Sequence, residues 1–280
     1  MNETFEKENI YSEEPEVFTP MKFLSGLACG SKKLLFVVIA YTVSLAASLA
    51  GSFGLKAGFV SAIAQFVELM GENLDAEAAE ALAGVVSIAG ALDSVFLGVA
   101  IVSLLPTVLT AVGALLIYLG AKNNAPSTLS KGTLLLHILF TFHTVVCALG
   151  IALTTLCVIG ICAIEPKIAP VGIIIGIIIL VPICISISYY GKFAKMFRDL
   201  GTSARTGINV LKVYSLVTVI NWVSAIGGLI SAVTSFSFSG IGNLLSSIAL
   251  IIVTMAFSDY KDEFGEPTKE NRKAAKEHLK

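Results

Sequence analysis

The sequence predicts an all-α, polytopic integral membrane protein with six transmembrane helices and an amphipathic two-helix insert on the extracytoplasmic side. Three observations support this fold class: long apolar runs, an absence of charge within them, and basic residues sorted to one side of the predicted bilayer. Of the 280 residues, 55% are hydrophobic and 14% are charged, whereas charged residues make up about 25% of ordinary soluble domains. The bilayer is therefore the expected solvent.

Six runs are long enough, or nearly long enough, to cross the membrane, because a helix needs roughly 20 apolar residues to span about 30 Å of hydrocarbon. They cover residues 34–53, 95–120, 132–164, 170–190, 213–233 and 241–257. The third run exceeds the required length, so we expect it to tilt, bend or project past the headgroups. Together the runs define a transmembrane domain over 34–257, between an acidic N-terminal tail, 1–33, and a charged C-terminal tail, 258–280.

The basic residues orient the predicted spans. Of 19 lysines and arginines, only Lys56 and Lys167 lie on the side opposite the termini, and the other 17 lie in the two tails and in the loops on the same side. Because basic residues accumulate on the cytoplasmic side, we predict that both termini are cytoplasmic and that the protein resides in the cell (plasma) membrane. Tyrosine favours the membrane interface, and five tyrosines fall at the cytoplasmic span ends: Tyr118, Tyr189, Tyr190, Tyr214 and Tyr260.

The first span has an alternative interpretation. Lys32 and Lys33, followed by an apolar run that reaches Ser48-Leu49-Ala50, resemble a secretory signal peptide cleaved after Ala50. The long acidic segment that precedes the lysines, and the continuation of the run to Phe53, favour a retained membrane anchor.

Residues 54–94, between the first two spans, are predicted to form two amphipathic helices. Apolar residues recur at helical spacing in the first (Phe59, Ile63, Phe66, Met70), and Asp75 can cap the second. The insert is acidic, with Lys56 as its one basic residue. We favour a solvated helical hairpin over the alternative, a cap above a central opening that attracts cations.

The C-terminal tail mixes both signs of charge. Five basic residues share one helical flank and alternate with glutamates: Lys269, Arg272, Lys273, Lys276 and Lys280. Contact with anionic lipid is one interpretation. Because acids lie so close to the bases, a frayed charged tail is the favoured one.

Polar groups inside the spans are the candidates for a ligand path. Between their charged ends the six spans contain no Asp, Glu, Lys or Arg, which argues against an ion-driven pump. The candidates are Asn221, Thr218 and Ser224 in the fifth span with His137 and His143 in the third. The competing interpretation, which we favour, is that Asn221 hydrogen-bonds a neighbouring helix.

Metal and cofactor sites are not expected. His143 and Cys147 share a helical face at a spacing of four residues and could hold a soft metal, but the sequence offers no third ligand beside them. The five cysteines do not form a loop pair that would suggest a disulfide or a zinc site. We therefore predict no metal and no cofactor.

Small residues at spacings of three or four predict close helix contacts. Gly172 and Gly176 form a GxxxG motif in the fourth span, Gly228 lies on the polar face of the fifth, and Ser44 and Ser48 repeat the spacing in the first.

These features lead to a functional expectation. No catalytic or phosphate-binding motif occurs, nucleic-acid binding has no support, and the loops are too short for a catalytic domain. We expect a non-enzymatic integral membrane protein with a scaffolding, regulatory or assembly role, embedded in the lipid bilayer and partnered by a second copy or another membrane protein. The alternatives are a small-solute transporter or channel subunit, with a path lined by the polar residues named above, and a membrane enzyme.

Overall fold

The computed structural model describes residues 19–52, 93–164, 169–234 and 238–279. These residues are almost all helical, with no strand among them, which confirms the predicted all-α fold. The helices are α1 (Pro20–Ser25), continued by a π-helical turn (Gly26–Gly30), α2 (Lys33–Ser52), α3 (Asp93–Lys122), α4 (Pro126–Ile164), α5 (Ala169–Thr206), α6 (Ser215–Thr234), α7 (Phe238–Phe264) and α8 (Lys269–His278).

Five of these helices are long and apolar enough to cross a membrane. The stretches that meet this test of length and composition are Leu104–Lys122, Pro126–Gly160, Ile173–Thr206, Ser215–Thr234 and Gly240–Phe264. A sixth span is obtained if the bent pair Pro20–Gly30 and Lys33–Ala47, which meet at 65°, is counted as one. Lys32 separates the two parts with a φ of 54°, a left-handed conformation that ends regular helix.

Helices α4 and α5 are longer than a membrane span. They contain 39 and 38 residues, which corresponds to about 57 Å of helix against about 30 Å of hydrocarbon. The sequence prediction ended the fourth span at Tyr190 and placed a loop at 191–212, but α5 continues to Thr206. An apolar stripe explains the difference, since Phe193, Met196 and Leu200 are buried on one face of the extension.

Around the bundle the helices follow the order α6, α7, α2, α3, α4, α5, and α5 meets α6 over a short stretch. Most of the buried core lies at the basic end, where α1 and the π-helical turn pack beside α3 and α5. Toward the other end, α4 and α5 extend as a hairpin with exposed apolar flanks such as Leu153 and Ile178, as expected of lipid-facing surfaces. Between 173 and 185, Gly176 alone is buried.

Two glycines set the close approach of α3 and α4. A Cβ on Gly120 would overlap the backbone nitrogen of Leu129, and one on Gly132 would lie 2.7 Å from the carbonyl oxygen of Gly113. Because neither neighbour is a movable side chain, larger residues at these positions would force the helices apart. The glycines therefore determine the spacing of the first helical hairpin.

The predicted tails and insert are described in part. Residues 1–18 and 53–92 lie outside the described residues, so of the predicted insert, 54–94, only its last two residues are described, and they begin α3. The tail predicted over 1–33 contains α1 and the π-helical turn. The tail predicted over 258–280 contains the end of α7 and all of α8, so it differs from the frayed tail favoured by the sequence. Ala275 is buried where α8 packs against α5, which accounts for the order of this segment.

Candidate functional site

Asn221 lies in a chain of hydrogen bonds that crosses three helices. The Tyr189 hydroxyl of α5 donates to Asn221 Oδ1 of α6 at 2.7 Å, and Asn221 Nδ2 donates to Thr254 Oγ1 of α7 at 3.0 Å. Thr254 in turn donates to the Leu250 carbonyl oxygen of its own helix at 2.7 Å. Asn221 is only 1% exposed, so both ends of its amide are used to join helices.

The other polar residues of α6 do not enter this chain. Thr218 Oγ1 lies 3.5 Å from the carbonyl oxygen of Tyr214, the residue just before α6 begins. Ser224 is exposed on the outside of the bundle. The periodic polar face that the sequence shows on α6 is thus split between the interior and the lipid-facing surface.

The two histidines of α4 also have different hydrogen-bond partners, one on another helix and one within α4. His137 Nδ1 donates to the Ala194 carbonyl oxygen of α5 at 3.0 Å, whereas His143 Nδ1 donates to the Leu139 carbonyl oxygen of its own helix at 2.8 Å. The ring of His143 lies 5.1 Å from the ring of Tyr190. In the described parts of the chain, no three histidine, cysteine, aspartate or glutamate side chains come together as metal ligands.

Three of the five packing candidates have described contacts. Ser44 Oγ donates to the Gly242 carbonyl oxygen at 3.1 Å and lies 2.7 Å from Ser246 Oγ, so it joins α2 to α7. A Cβ on Gly228 would overlap Ser247 Oγ of α7, and one on Gly176 would lie 2.6 Å from Val158 of α4. Gly172 lies in α5 and Ser48 lies in α2. The contacts of these two residues are outside the part of the structure that is described.

An apolar cavity of about 90 Å³ lies inside the basic half of the bundle. Its lining comes from α1, α2, α3, α4, α5 and α7 and includes Leu24, Leu136, Phe197 and Phe257. The cavity is smaller than the ~150 Å³ apolar cavity that admits benzene, and apolar cavities of this kind stay dry. Its small volume and apolar lining are typical of a packing gap between aromatic side chains.

Asn209 is a buried junction that the sequence analysis did not single out. Its Nδ2 donates to the carbonyl oxygens of Phe264 and Gly265, both at 3.2 Å, while its Oδ1 accepts from the Leu211 amide and the Tyr260 hydroxyl. Asn271 Nδ2 of α8 donates to the Asn209 carbonyl oxygen at 3.2 Å. One asparagine therefore holds the α5–α6 connection, the end of α7 and α8 together. The only sequence signal was a polar residue next to the apolar run 210–211.

The ends of α5 and α7 allow the chain to reach this junction. Gly207 and Gly265 follow the two helices with φ angles of 71° and 66°, the left-handed conformation typical of a helix C-cap. Their amides donate to the Ser203 and Lys261 carbonyl oxygens, each at 2.9 Å. Together, the extension of α5 after Tyr190, the connection 207–214, the end of α7 and α8 form a surface that we call the basic platform.

Two open cavities lie side by side on the basic platform. The larger, about 390 Å³, lies between α5 and α8 and is lined by Lys195, Arg198, Asp199, Thr202, Val210, Arg272, Ala275, Lys276 and Leu279. The smaller, about 290 Å³, is lined by Lys195, Lys212, Tyr214, Glu266, Pro267, Lys269 and Arg272. Lys195 and Arg272 belong to both linings, so the cavities form one continuous basic groove. The sequence showed these cations in separate segments and did not indicate that they meet.

Comparison of the chain with protein families, with curated proteins and with solved structures yields no match. What the geometry defines is a class, an all-α protein with helices suited to crossing a membrane. Its functional assignment rests on the arrangement of its own residues.

Proposed function

We propose that this chain is a non-enzymatic integral membrane protein with a scaffolding, regulatory or assembly role, located in the plasma membrane with both termini in the cytoplasm. The observation that carries the proposal is the chain from Tyr189 through Asn221 to Thr254. Asn221, an amide in the middle of an otherwise apolar run, uses both ends of its side chain to join α5, α6 and α7. Its interior position thus serves the architecture of the bundle.

The basic platform supports the same role. Asn209 ties three segments into one surface at the basic end, and Lys33 of α2 lies 2.6 Å from Asp259 of α7 on that side. A surface built from several joined elements presents its side chains in a constant arrangement, as recognition of a partner requires. The proposed partner is a second copy of the chain or another membrane protein, with anionic lipid also in contact with the C-terminal segment.

Photocrosslinking in native membranes tests the proposal. A photoreactive residue placed at Lys273, which is exposed on α8 outside the groove, is expected to give a protein adduct of discrete mass. The matched control is Val219, which is exposed on the lipid-facing side of α6. If both positions give lipid adducts alone, and no self-association is found by crosslinking elsewhere on the platform, the scaffolding proposal fails.

A second measurement separates this proposal from a solute path. In a variant without native cysteines, Asn221→Cys should resist a water-soluble thiol reagent, since the position is packed between helices. Rapid labelling protected by a small solute would instead support transport. Asn123→Cys, in the exposed turn between α3 and α4, serves as the labelled control in permeabilised membranes.

A further inference from the structure

Three lysines surround one aromatic ring on the basic platform. The Nζ atoms of Lys192, Lys195 and Lys212 lie 5.9, 5.9 and 6.0 Å from the centre of the Tyr214 ring. No two of these ammonium groups are therefore more than about 12 Å apart, a separation at which like charges repel unless counterions intervene. The ring face attracts each cation, but it does not neutralise their charge.

The carboxylates of the groove compensate only part of this charge. Glu266 lies 3.6 Å from Lys212, and Asp199 lies 3.6 Å from Arg198. In the described part of the chain, no carboxylate lies within 4.0 Å of Lys192, Lys195 or Arg272. The two cations that line both cavities, Lys195 and Arg272, are thus among the groove cations without an ion pair, and the Asp199 carboxylate attracts both of them only from a longer distance. We call the boundary between the two cavities, formed by Lys195 and Arg272, the ridge. An anion is the expected ligand of the ridge.

The residue types favour phosphate as the anion. Arg272 offers a planar fork of donors suited to phosphate oxygens, and Lys195 adds a compact charge. Thr202 adds a hydroxyl to the wall of the larger cavity. The two cavities have volumes of about 390 and 290 Å³. Each is many times larger than the ~30 Å³ that a water molecule occupies in the liquid.

The position of the groove along α5 places the groove close to the predicted membrane surface. Tyr189 and Tyr190 fall where the interfacial aromatic belt is predicted. Lys195 follows five residues later, which is about 8 Å along a helix, comparable to the depth of the headgroup layer outside the hydrocarbon core. A phospholipid headgroup and a soluble phosphate compound can therefore both reach the groove.

We propose that the groove formed by α5, residues 210–214 and α8 binds a phosphate-bearing anion on the ridge made by Lys195 and Arg272. This inference does not depend on the scaffolding role, because it concerns the charge and shape of the groove alone. An anion here would bridge α5 to α8 and hold α8 against the bundle.

The test uses full-length protein in neutral detergent, with thermal unfolding and native mass spectrometry as readouts. Phosphatidylglycerol, phosphatidylcholine and pyrophosphate are added in separate arms. A lipid source predicts that phosphatidylglycerol raises the unfolding temperature and stays bound, while pyrophosphate and phosphatidylcholine do not. A soluble source predicts stabilisation by pyrophosphate and no advantage of phosphatidylglycerol over phosphatidylcholine. If neither anion stabilises the protein or stays bound, the proposal is wrong.

Matched variants locate the site. Lys195→Gln combined with Arg272→Gln should weaken binding of the stabilising anion about 25-fold, on the basis of about fivefold for each cation near a membrane surface. Lys122→Gln combined with Lys131→Gln removes the same charge from the exposed α3–α4 region and should leave binding within about twofold of the wild type. If both double variants lose anion binding equally, the binding reflects the general positive charge of the protein and the assigned site is wrong. Each variant's unfolding temperature without anion reports whether it folds normally.

Discussion

The Tyr189 hydroxyl donates a hydrogen bond of 2.7 Å to Asn221 Oδ1, and this contact links α5 to α6 where the two helices otherwise touch little. The ring of helices α6, α7, α2, α3, α4 and α5 is closed at this point. The bond lies beside the interface tyrosines at the basic end, above the region where α4 and α5 extend away as a hairpin. The closure of the bundle thus depends on a few polar atoms.

Asn221→Leu is expected to destabilise the bundle. The substitution removes bonds to both Tyr189 and Thr254, and each interhelical bond in a membrane contributes about 0.6 kcal/mol on average and up to about 1.7 kcal/mol. We expect a lower unfolding temperature in detergent, with Tyr189→Phe giving a smaller loss. Ser224→Ala on the exposed side of the same helix is the control and should be neutral. A wild-type unfolding temperature for Asn221→Leu would show that the joint is unimportant.

Gly120→Ala is expected to destabilise the α3–α4 hairpin by about 1–3 kcal/mol through overpacking. The new Cβ would overlap the Leu129 backbone, which has no rotamer to change. Gly227→Ala is the matched control, since nothing lies within 4 Å of the added Cβ, and it should be neutral or stabilising by up to about 1 kcal/mol from helix propensity. Thermal unfolding of the two variants should move in opposite directions or differ clearly in size, and equal shifts would contradict the close approach.

Asn209→Ala is expected to loosen the end of α7 and the turn that leads into α8, whereas the bond from Asn271 to the Asn209 carbonyl oxygen is retained because it is made to the backbone. Four hydrogen bonds to the Asn209 side chain are lost, at a cost of about 2–4 kcal/mol for buried bonds. Limited proteolysis followed by mass spectrometry should show faster cleavage near Gly265. Asn123→Ala, in an exposed turn, should be cleaved like the wild type. An unchanged cleavage rate for Asn209→Ala would mean that other contacts suffice to hold the end of α7.

The predicted orientation can be read in intact cells with an impermeant thiol reagent. On a background without native cysteines, Lys167→Cys should be labelled from outside, because it is one of the two basic residues predicted to face away from the cytoplasm. Asn123→Cys and His278→Cys should be labelled only after permeabilisation. Labelling of His278→Cys in intact cells would reverse the proposed orientation of the C-terminus.

The apolar runs were sufficient to predict the helical class and the approximate positions of the long apolar helices, because hydrocarbon imposes a length and a lack of charge on any helix that crosses it. They were not sufficient for the helix ends. After Tyr190 the chain changes from a uniformly apolar run to a stripe that buries Phe193 and Phe197, and a search for uniform runs does not detect such a stripe.

Asn221 illustrates a second limit. An amide in an apolar span signals a need for a hydrogen-bond partner, and the sequence raised both a neighbouring helix and a ligand path as answers. The partners, Tyr189 and Thr254, lie 32 and 33 residues away along the chain. No local pattern connects them, because the contact arises from the packing of α5, α6 and α7.

By itself the sequence determined that the chain is an all-α protein with helices suited to a bilayer, and it sorted 17 of the 19 basic residues to one predicted side. These properties depend on local composition and length, which each segment carries alone. Only the tertiary structure decided that Asn209 joins α7 and α8 to the platform, and that Lys195 of α5 and Arg272 of α8 line one groove. The physical reason is that hydrogen bonds and charge clusters depend on distances between segments, which are set by helix packing.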